Sequence, residues 1–77
     1  MNSTRTDEDR LLECFSAVFP GIPREQLRTA DSYSLKGWDS VALVTLIAAV
    51  EEEFGITLAP DSYSGLTSFK AFLAQLN

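Results

Sequence analysis

Apolar residues recur at the spacing of an α-helix in three separate segments of the chain. The first segment follows Thr6, a residue that caps helices, and stops at Pro20-Gly21. The second runs from Ser40 to Phe54, and the third begins after Thr67 or Ser68. The apolar positions are Leu11, Leu12, Cys14, Phe15, Val18 and Phe19 in the first segment, Leu43, Leu46, Ile47, Val50 and Phe54 in the second, and Phe69, Phe72, Leu73 and Leu76 in the third. This pattern predicts three amphipathic helices.

The segment between the first two helices, residues 20–39, shows neither helical nor strand periodicity. Loops of this length in a compact domain are usually functional or are held down by their own apolar residues. Arg24–Leu27 can form a single helical turn, and Pro60–Tyr63 can form another before the last helix. The candidate loop anchors are Ile22, Leu27, Tyr33, Leu35 and Trp38. We therefore expect an all-α fold, a small four-helix bundle of three main amphipathic helices plus one short helix, with a long loop between helices 1 and 2.

The length and composition fit one small domain. The 77 residues are 45% apolar, so a core is available, although the chain is near the lower size limit for folding without disulfides or metal. We expect residues 6–77 to form a single domain after a flexible tail over residues 1–5. The polar start resembles no secretory signal, and no apolar stretch is long enough to span a bilayer. A cytoplasmic monomer is the expectation.

The chain contains one cysteine and no histidine, which restricts its chemistry. These counts exclude an internal disulfide framework, a histidine metal site and a histidine-based triad, and they argue against self-contained catalysis. Cys14 lies on the apolar side of the first helix, where we expect a small buried hydrophobe rather than a reactive thiol. The net charge of −5 repels nucleic acid and anionic membranes and favours protein partners with basic surfaces.

The junction Asp39-Ser40 starts the central helix and is the strongest candidate for chemistry. Asp39 can cap the helix, which places Ser40 in its first turn. A hydroxyl there is exposed, and the unsatisfied N–H groups and the positive end of the helix dipole favour a phosphate. The alternative is a cap with no further role. Trp38, just before the pair, is expected to anchor the loop or staple the helix, with ligand stacking as the alternative.

The central helix carries two further features outside its core stripe. Val41, Val44 and Ala48 form a second apolar row beside Ser40, which we interpret as a patch facing a partner. The alternative is that this row packs beneath the long loop. The helix ends in the acidic run Glu51–Glu53, which opposes the helix dipole at a cost of about 0.3 to 1 kcal/mol for each exposed acid. That cost supports recognition over the alternative of a merely solvated last turn.

Taken together, these motifs resemble the acyl carrier proteins, including the carrier domains of fatty-acid, polyketide and nonribosomal peptide pathways. Asp39-Ser40-Val41 is similar to the Asp-Ser-Leu signature of that family. The run Glu51–Ile56 resembles the acidic end of the family's second helix, and Leu66–Phe69 resembles the start of its last helix. The resemblance covers about residues 7 to 76, and the spacing between the motifs makes their combination specific.

The resemblance implies that Ser40 carries a covalent 4′-phosphopantetheine arm derived from coenzyme A. A separate phosphopantetheinyl transferase would attach the arm with magnesium, and a ligase or acyltransferase would load it with an acyl or aminoacyl group. The chain would then be a substrate of these enzymes and not a catalyst. The residues expected to contact partners are Asp39, Val41, Val44, Ala48, Glu51 and Glu52.

The chain departs from familiar fatty-acid carriers at two positions of the central helix. Those carriers have acids where this chain has Ala42 and Thr45, so the middle of the helix is neutral. The resemblance therefore points to a stand-alone carrier of a specialised pathway rather than to a housekeeping fatty-acid role. The competing hypothesis is an interaction module of the same fold that lacks a prosthetic group, with Ser40 acting only in the cap.

Overall fold

A computed structural model describes residues 6–76 of the chain. The elements are α1 (Asp7–Val18), α2 (Arg24–Arg28), α3 (Ser40–Phe54), a 3₁₀ helix (Pro60–Gly65) and α4 (Phe69–Gln75). No strand forms within these residues, where the only β pairing is an isolated bridge between Asp31 and Ser68. The all-α fold is confirmed, and both short helical turns suggested by the sequence are present. The flexible tail expected over residues 1–5 lies outside the described residues.

Local sequence signals set where α1 begins. The Thr6 hydroxyl accepts the Asp9 N–H at 3.1 Å, and the Asp9 carboxylate accepts the Thr6 N–H at 3.3 Å. This reciprocal capping satisfies two backbone donors that have no partner within the helix. Asp7, Glu8 and Asp9 also place negative charge at the positive end of the helix dipole.

The core is built around α1, which packs against α2, α3 and α4. The Phe15 ring is fully buried and lies within 6.3 Å of the rings of Phe19, Trp38, Phe69 and Phe72, centroid to centroid. Other fully buried side chains are Leu11, Leu12, Leu27, Leu46, Val50 and Leu66. Leu43 and Phe54 of the predicted α3 stripe are only partly buried, because they lie at the margin of this core.

The long loop is anchored at four of the five predicted positions. Leu27 and Leu35 are buried, and Ile22 and Trp38 pack partly buried against the core. The prediction for Tyr33 is wrong, because its side chain is 96% exposed. The physical reason is a tight turn that points Tyr33 outward and leaves the buried position to Leu35.

Asp31 organises that turn. Its Oδ1 accepts the N–H groups of Ser34 at 2.8 Å and Tyr33 at 2.9 Å. These two hydrogen bonds, that of Ser34 first, lower the pKa of the Asp31 carboxyl. The turn is joined to the start of α4, since the Ser32 N–H donates to the Thr67 carbonyl at 2.8 Å.

Cys14 of α1 contacts α3 and is 7% exposed. Its Sγ donates to the Ala49 carbonyl at 3.7 Å, so the prediction of a small buried residue is confirmed. Among the residues that the structure describes, no cluster of three or more histidine, cysteine or acidic side chains could hold a metal ion. No helix in residues 6–76 is long and apolar enough to cross a membrane.

Candidate functional site

The Asp39-Ser40 junction forms a capped helix start with an accessible hydroxyl. Asp39 is extended, and its carboxylate accepts the Ala42 N–H at 2.9 Å. Its carbonyl accepts the Leu43 N–H at 2.9 Å. Ser40 is the first residue of α3 and is exposed. Asp39 thus caps the helix without using the Ser40 hydroxyl.

Two backbone donors stay open beside that hydroxyl. The N–H groups of Ser40 and Val41 have no hydrogen-bond partner within residues 6–76. Both lie at the positive end of a helix of 15 residues. Open N–H groups and the helix dipole together favour a negatively charged group such as a phosphate. The start of α3 therefore fits a phosphate ester on Ser40.

The loop before Ser40 is fixed by Trp38. Its ring lies 5.6 Å from Phe15, 5.8 Å from Phe19 and 6.4 Å from Phe72, measured between ring centroids. Gly37 precedes it with a φ of 92°, a conformation that residues with a side chain rarely adopt. The prediction that Trp38 anchors the loop is confirmed, and the anchor holds the adjacent Asp39-Ser40 pair on the surface.

The second apolar row of α3 faces solvent. Val41 is 74% exposed, Val44 is 64% exposed and Ala48 is also exposed. The alternative in which this row packs beneath the long loop is therefore wrong. The Thr45 hydroxyl donates to the Val41 carbonyl at 2.8 Å, so it is satisfied within the helix. Next to Ser40, α3 presents an uncharged and largely apolar surface.

The three acids at the end of α3 have different environments. The Glu51 carboxylate accepts the Leu58 N–H at 2.8 Å and so binds the chain that follows the helix. Glu53 pairs with Arg10 at 2.9 Å, whereas Glu52 is exposed. The alternative of a merely solvated last turn is therefore wrong for Glu51 and Glu53, because both side chains make contacts within the fold. Contact of Glu51 and Glu52 with a partner stays a prediction.

A family model described as the phosphopantetheine attachment site matches residues 9–76. The chain belongs to this family. The family is defined by covalently attached 4′-phosphopantetheine, so the chain is a phosphopantetheine carrier domain, of a class that is generally non-catalytic. The resemblance to acyl carrier proteins is confirmed. Comparison with curated proteins and with solved structures gave no match.

The carrier domain spreads the predicted site residues along one helix rather than gathering them in a pocket. Ser40 and Glu52 are twelve residues apart on α3, or about 18 Å at 1.5 Å per residue. Val41, Val44 and Ala48 follow at helical spacing between them, so they share one face. The arrangement suits docking against a flat surface and not enclosure of a small molecule.

Sequence reasoning missed Arg10, which stabilises the end of α3 from α1. Its Nε donates to the Glu53 carboxylate, and a second guanidinium nitrogen donates to the Glu53 carbonyl at 2.6 Å. The guanidinium carbon also lies 4.4 Å from the centre of the Phe54 ring. One signal was available, because Arg10 is the only basic residue in the sequence of α1.

Proposed function

We propose that this carrier domain holds acyl or aminoacyl groups as thioesters on a 4′-phosphopantetheine arm bonded to Oγ of Ser40. The observation that carries the proposal is the exposed Ser40 hydroxyl beside two open backbone N–H groups at the start of α3. The family match supports a phosphopantetheine carrier in general. The nature of the acyl group and the assignment to Ser40 are our proposal.

Attachment breaks the phosphoanhydride bond of coenzyme A, releases adenosine 3′,5′-bisphosphate and forms a phosphodiester to Ser40. The Ser40 oxygen attacks the β-phosphorus of coenzyme A, and the bond from that phosphorus to the adenosine half breaks. The hydroxyl proton passes to a base on the transferase, since the chain has no histidine. The Ser40 and Val41 N–H groups then face the charge of the phosphodiester. When bound, the arm supplies a terminal thiol that forms the thioester.

The exposed face of α3 is the proposed docking surface for the transferase and the loading enzyme. Its centre is the apolar row Val41, Val44 and Ala48, and acids lie at both ends. Basic partner surfaces would be attracted by Asp39, Glu51 and Glu52, while the apolar row would be desolvated on contact. The neutral middle of the helix supports a carrier of a specialised pathway.

Intact mass spectrometry tests the assignment directly. We expect incubation with a broad-specificity transferase, magnesium and coenzyme A to add the mass of one phosphopantetheine to the chain. Ser40→Ala should gain no mass, because the attacking oxygen is missing. Ser64→Ala, which removes another exposed hydroxyl far along the chain, is the matched control and should be modified like the unaltered chain.

Two outcomes would contradict the proposal. Mass gain by Ser40→Ala would place the arm on another residue. No gain by the unaltered, folded chain would favour the alternative of an interaction module without a prosthetic group, in which Asp39 and Ser40 serve only to start the helix.

A further inference from the structure

Charge is unevenly distributed between two faces of the molecule. We define the α2–α4 face as α2, residues 29–36 and the start of α4 through Lys70. Its basic residues are Arg24, Arg28, Lys36 and Lys70, against the acids Glu25 and Asp31, and Glu8 of α1 also pairs with Arg28. The remainder of the chain has nine acidic and two basic residues. The α2–α4 face is thus a basic area on an acidic protein, and it contains no residue of α3.

A cavity of about 310 Å³ lies within this face. Arg28 from α2 and Lys70 from α4 contribute cationic side chains to its lining, with Thr29, Ala30, Asp31 and Ser68 completing the wall. The Asp31 carboxylate in this wall is already engaged by two N–H groups of its own turn. Two cations from different helices flank a space large enough for a carboxylate side chain.

Neither cation is committed to a strong internal contact. Arg28 pairs with Glu8 at 2.9 Å, but both side chains are 43% exposed, and ion pairs in water contribute little to stability. The Lys70 side chain makes no ion pair or hydrogen bond within residues 6–76. An incoming carboxylate can therefore bind both groups without breaking a buried interaction.

Tyr33 lies in residues 29–36 of the same face. It is 96% exposed, yet its backbone is held by the Asp31 carboxylate and by the join between Ser32 and Thr67. An aromatic side chain on a rigid turn loses little conformational freedom on binding, and tyrosine is enriched among the residues that dominate interface energies. Nothing in the described fold uses the phenol ring.

We propose that the α2–α4 face binds an acidic protein partner, with a carboxylate of that partner between Arg28 and Lys70 and with Tyr33 packed against its apolar surface. This goes beyond the carrier function, because it uses neither Ser40 nor the exposed face of α3. Its charge is opposite to that of α3. The same domain can therefore be held by an acidic protein while a basic enzyme acts at Ser40.

A titration followed by NMR with a defined peptide tests the proposal. The probe is a peptide of alternating glutamate and leucine, and the matched control has lysine in place of each glutamate. We expect the glutamate peptide to shift the amide signals of residues 28–33 and 68–70, and the lysine peptide to leave them unchanged. Equal effects of both peptides, or shifts confined to α3, would overturn the proposal.

Variants distinguish binding at the cavity and the Tyr33 ring from a general attraction between opposite charges. Arg28→Gln combined with Lys70→Gln, and Tyr33→Ala alone, should each raise the peptide dissociation constant at least about fivefold. Arg24→Gln removes a cation of the same helix that does not line the cavity. It should change the peptide dissociation constant less than twofold. An unchanged dissociation constant in the first two variants would contradict the proposal, as would inorganic phosphate producing the same shifts at the same concentration.

The outcome is independent of the proposed function. The peptide titration reports on the α2–α4 face whether or not Ser40 is modified, and the mass assay reports on Ser40 alone. Failure of one therefore leaves the other standing.

Discussion

Trp38 and Tyr33 occupy the same loop but have opposite environments. Trp38 contacts three phenylalanine rings of the core, whereas Tyr33 is almost fully in solvent. Both are large aromatic residues in an acidic chain with few charges nearby in sequence, so composition alone does not distinguish them. The difference comes from Asp31, whose carboxylate closes a turn on the Tyr33 backbone.

The two aromatic residues make a matched pair for stability measurements. Trp38→Ala should lower the free energy of unfolding by about 2 to 3 kcal/mol, below the value for a fully buried ring because Trp38 is partly exposed. Tyr33→Ala should change it by no more than about 0.5 kcal/mol. Urea unfolding followed by circular dichroism gives both values. Equal losses in the two variants would mean that Trp38 does not anchor the loop.

At the scale of the element, the end of α3 is stabilised by residues that lie outside the helix. Gly55 stops the helix in the left-handed conformation, with a φ of 65°. The Glu51 carboxylate then binds the Leu58 N–H, and Arg10 binds Glu53 from another helix. These contacts offset the unfavourable placement of acids at the negative end of the helix dipole.

Substitutions of Glu51 and Glu52 separate the effect of the Leu58 hydrogen bond from the effect of negative charge at the helix end. Glu51→Ala should lower the free energy of unfolding by about 1 to 2 kcal/mol, because it removes a charge-assisted hydrogen bond to a partly buried backbone donor. Glu52→Ala removes the same charge from an exposed position and should be neutral or slightly stabilising, within about 0.5 kcal/mol. Thermal unfolding of both variants is the measurement. Similar values for the two would show that the Leu58 contact is unimportant.

The helices and their starts could be predicted from sequence because the responsible interactions are local. Thr6 and Ser68 bind N–H groups three residues away, and Gly55 needs only its own backbone freedom. The pairing of Arg10 with Glu53 joins residues 43 apart, so no periodicity reveals it. The outward direction of Tyr33 was missed for a related reason, since it depends on how a single side chain closes a turn.

The same distinction between local and long-range interactions applies to the candidate site. The exposure of Ser40 and of the row Val41, Val44 and Ala48 followed from the period of the helix. The cavity between Arg28 and Lys70 could not be predicted, because it exists only where α2 meets the start of α4.

At the scale of the whole molecule, charge and apolar surface should affect different stages of binding. With the transferase as partner, Glu52→Lys should slow association and flatten its salt dependence, because exposed charges act mainly on encounter. Val44→Asp should instead speed dissociation about tenfold, because it places a charge in a contact that is otherwise desolvated. Stopped-flow kinetics at several salt concentrations measures both effects.

Glu52 is the better choice than Glu51 for this test, because Glu51 also supports the fold. Circular dichroism must show that Val44→Asp is folded, which its 64% exposure favours. If Val44→Asp leaves the dissociation rate unchanged, the apolar row is not the docking surface.

The anchoring of α3 at both ends has a consequence for how tightly a partner can bind. Trp38 anchors the loop directly before α3 to the core, and Arg10 of α1 binds the last turn of α3. A helix restrained in this way has few alternative orientations to give up when an enzyme docks on it. Complex formation then loses less conformational entropy, so less of the contact free energy is needed to offset the ordering of α3.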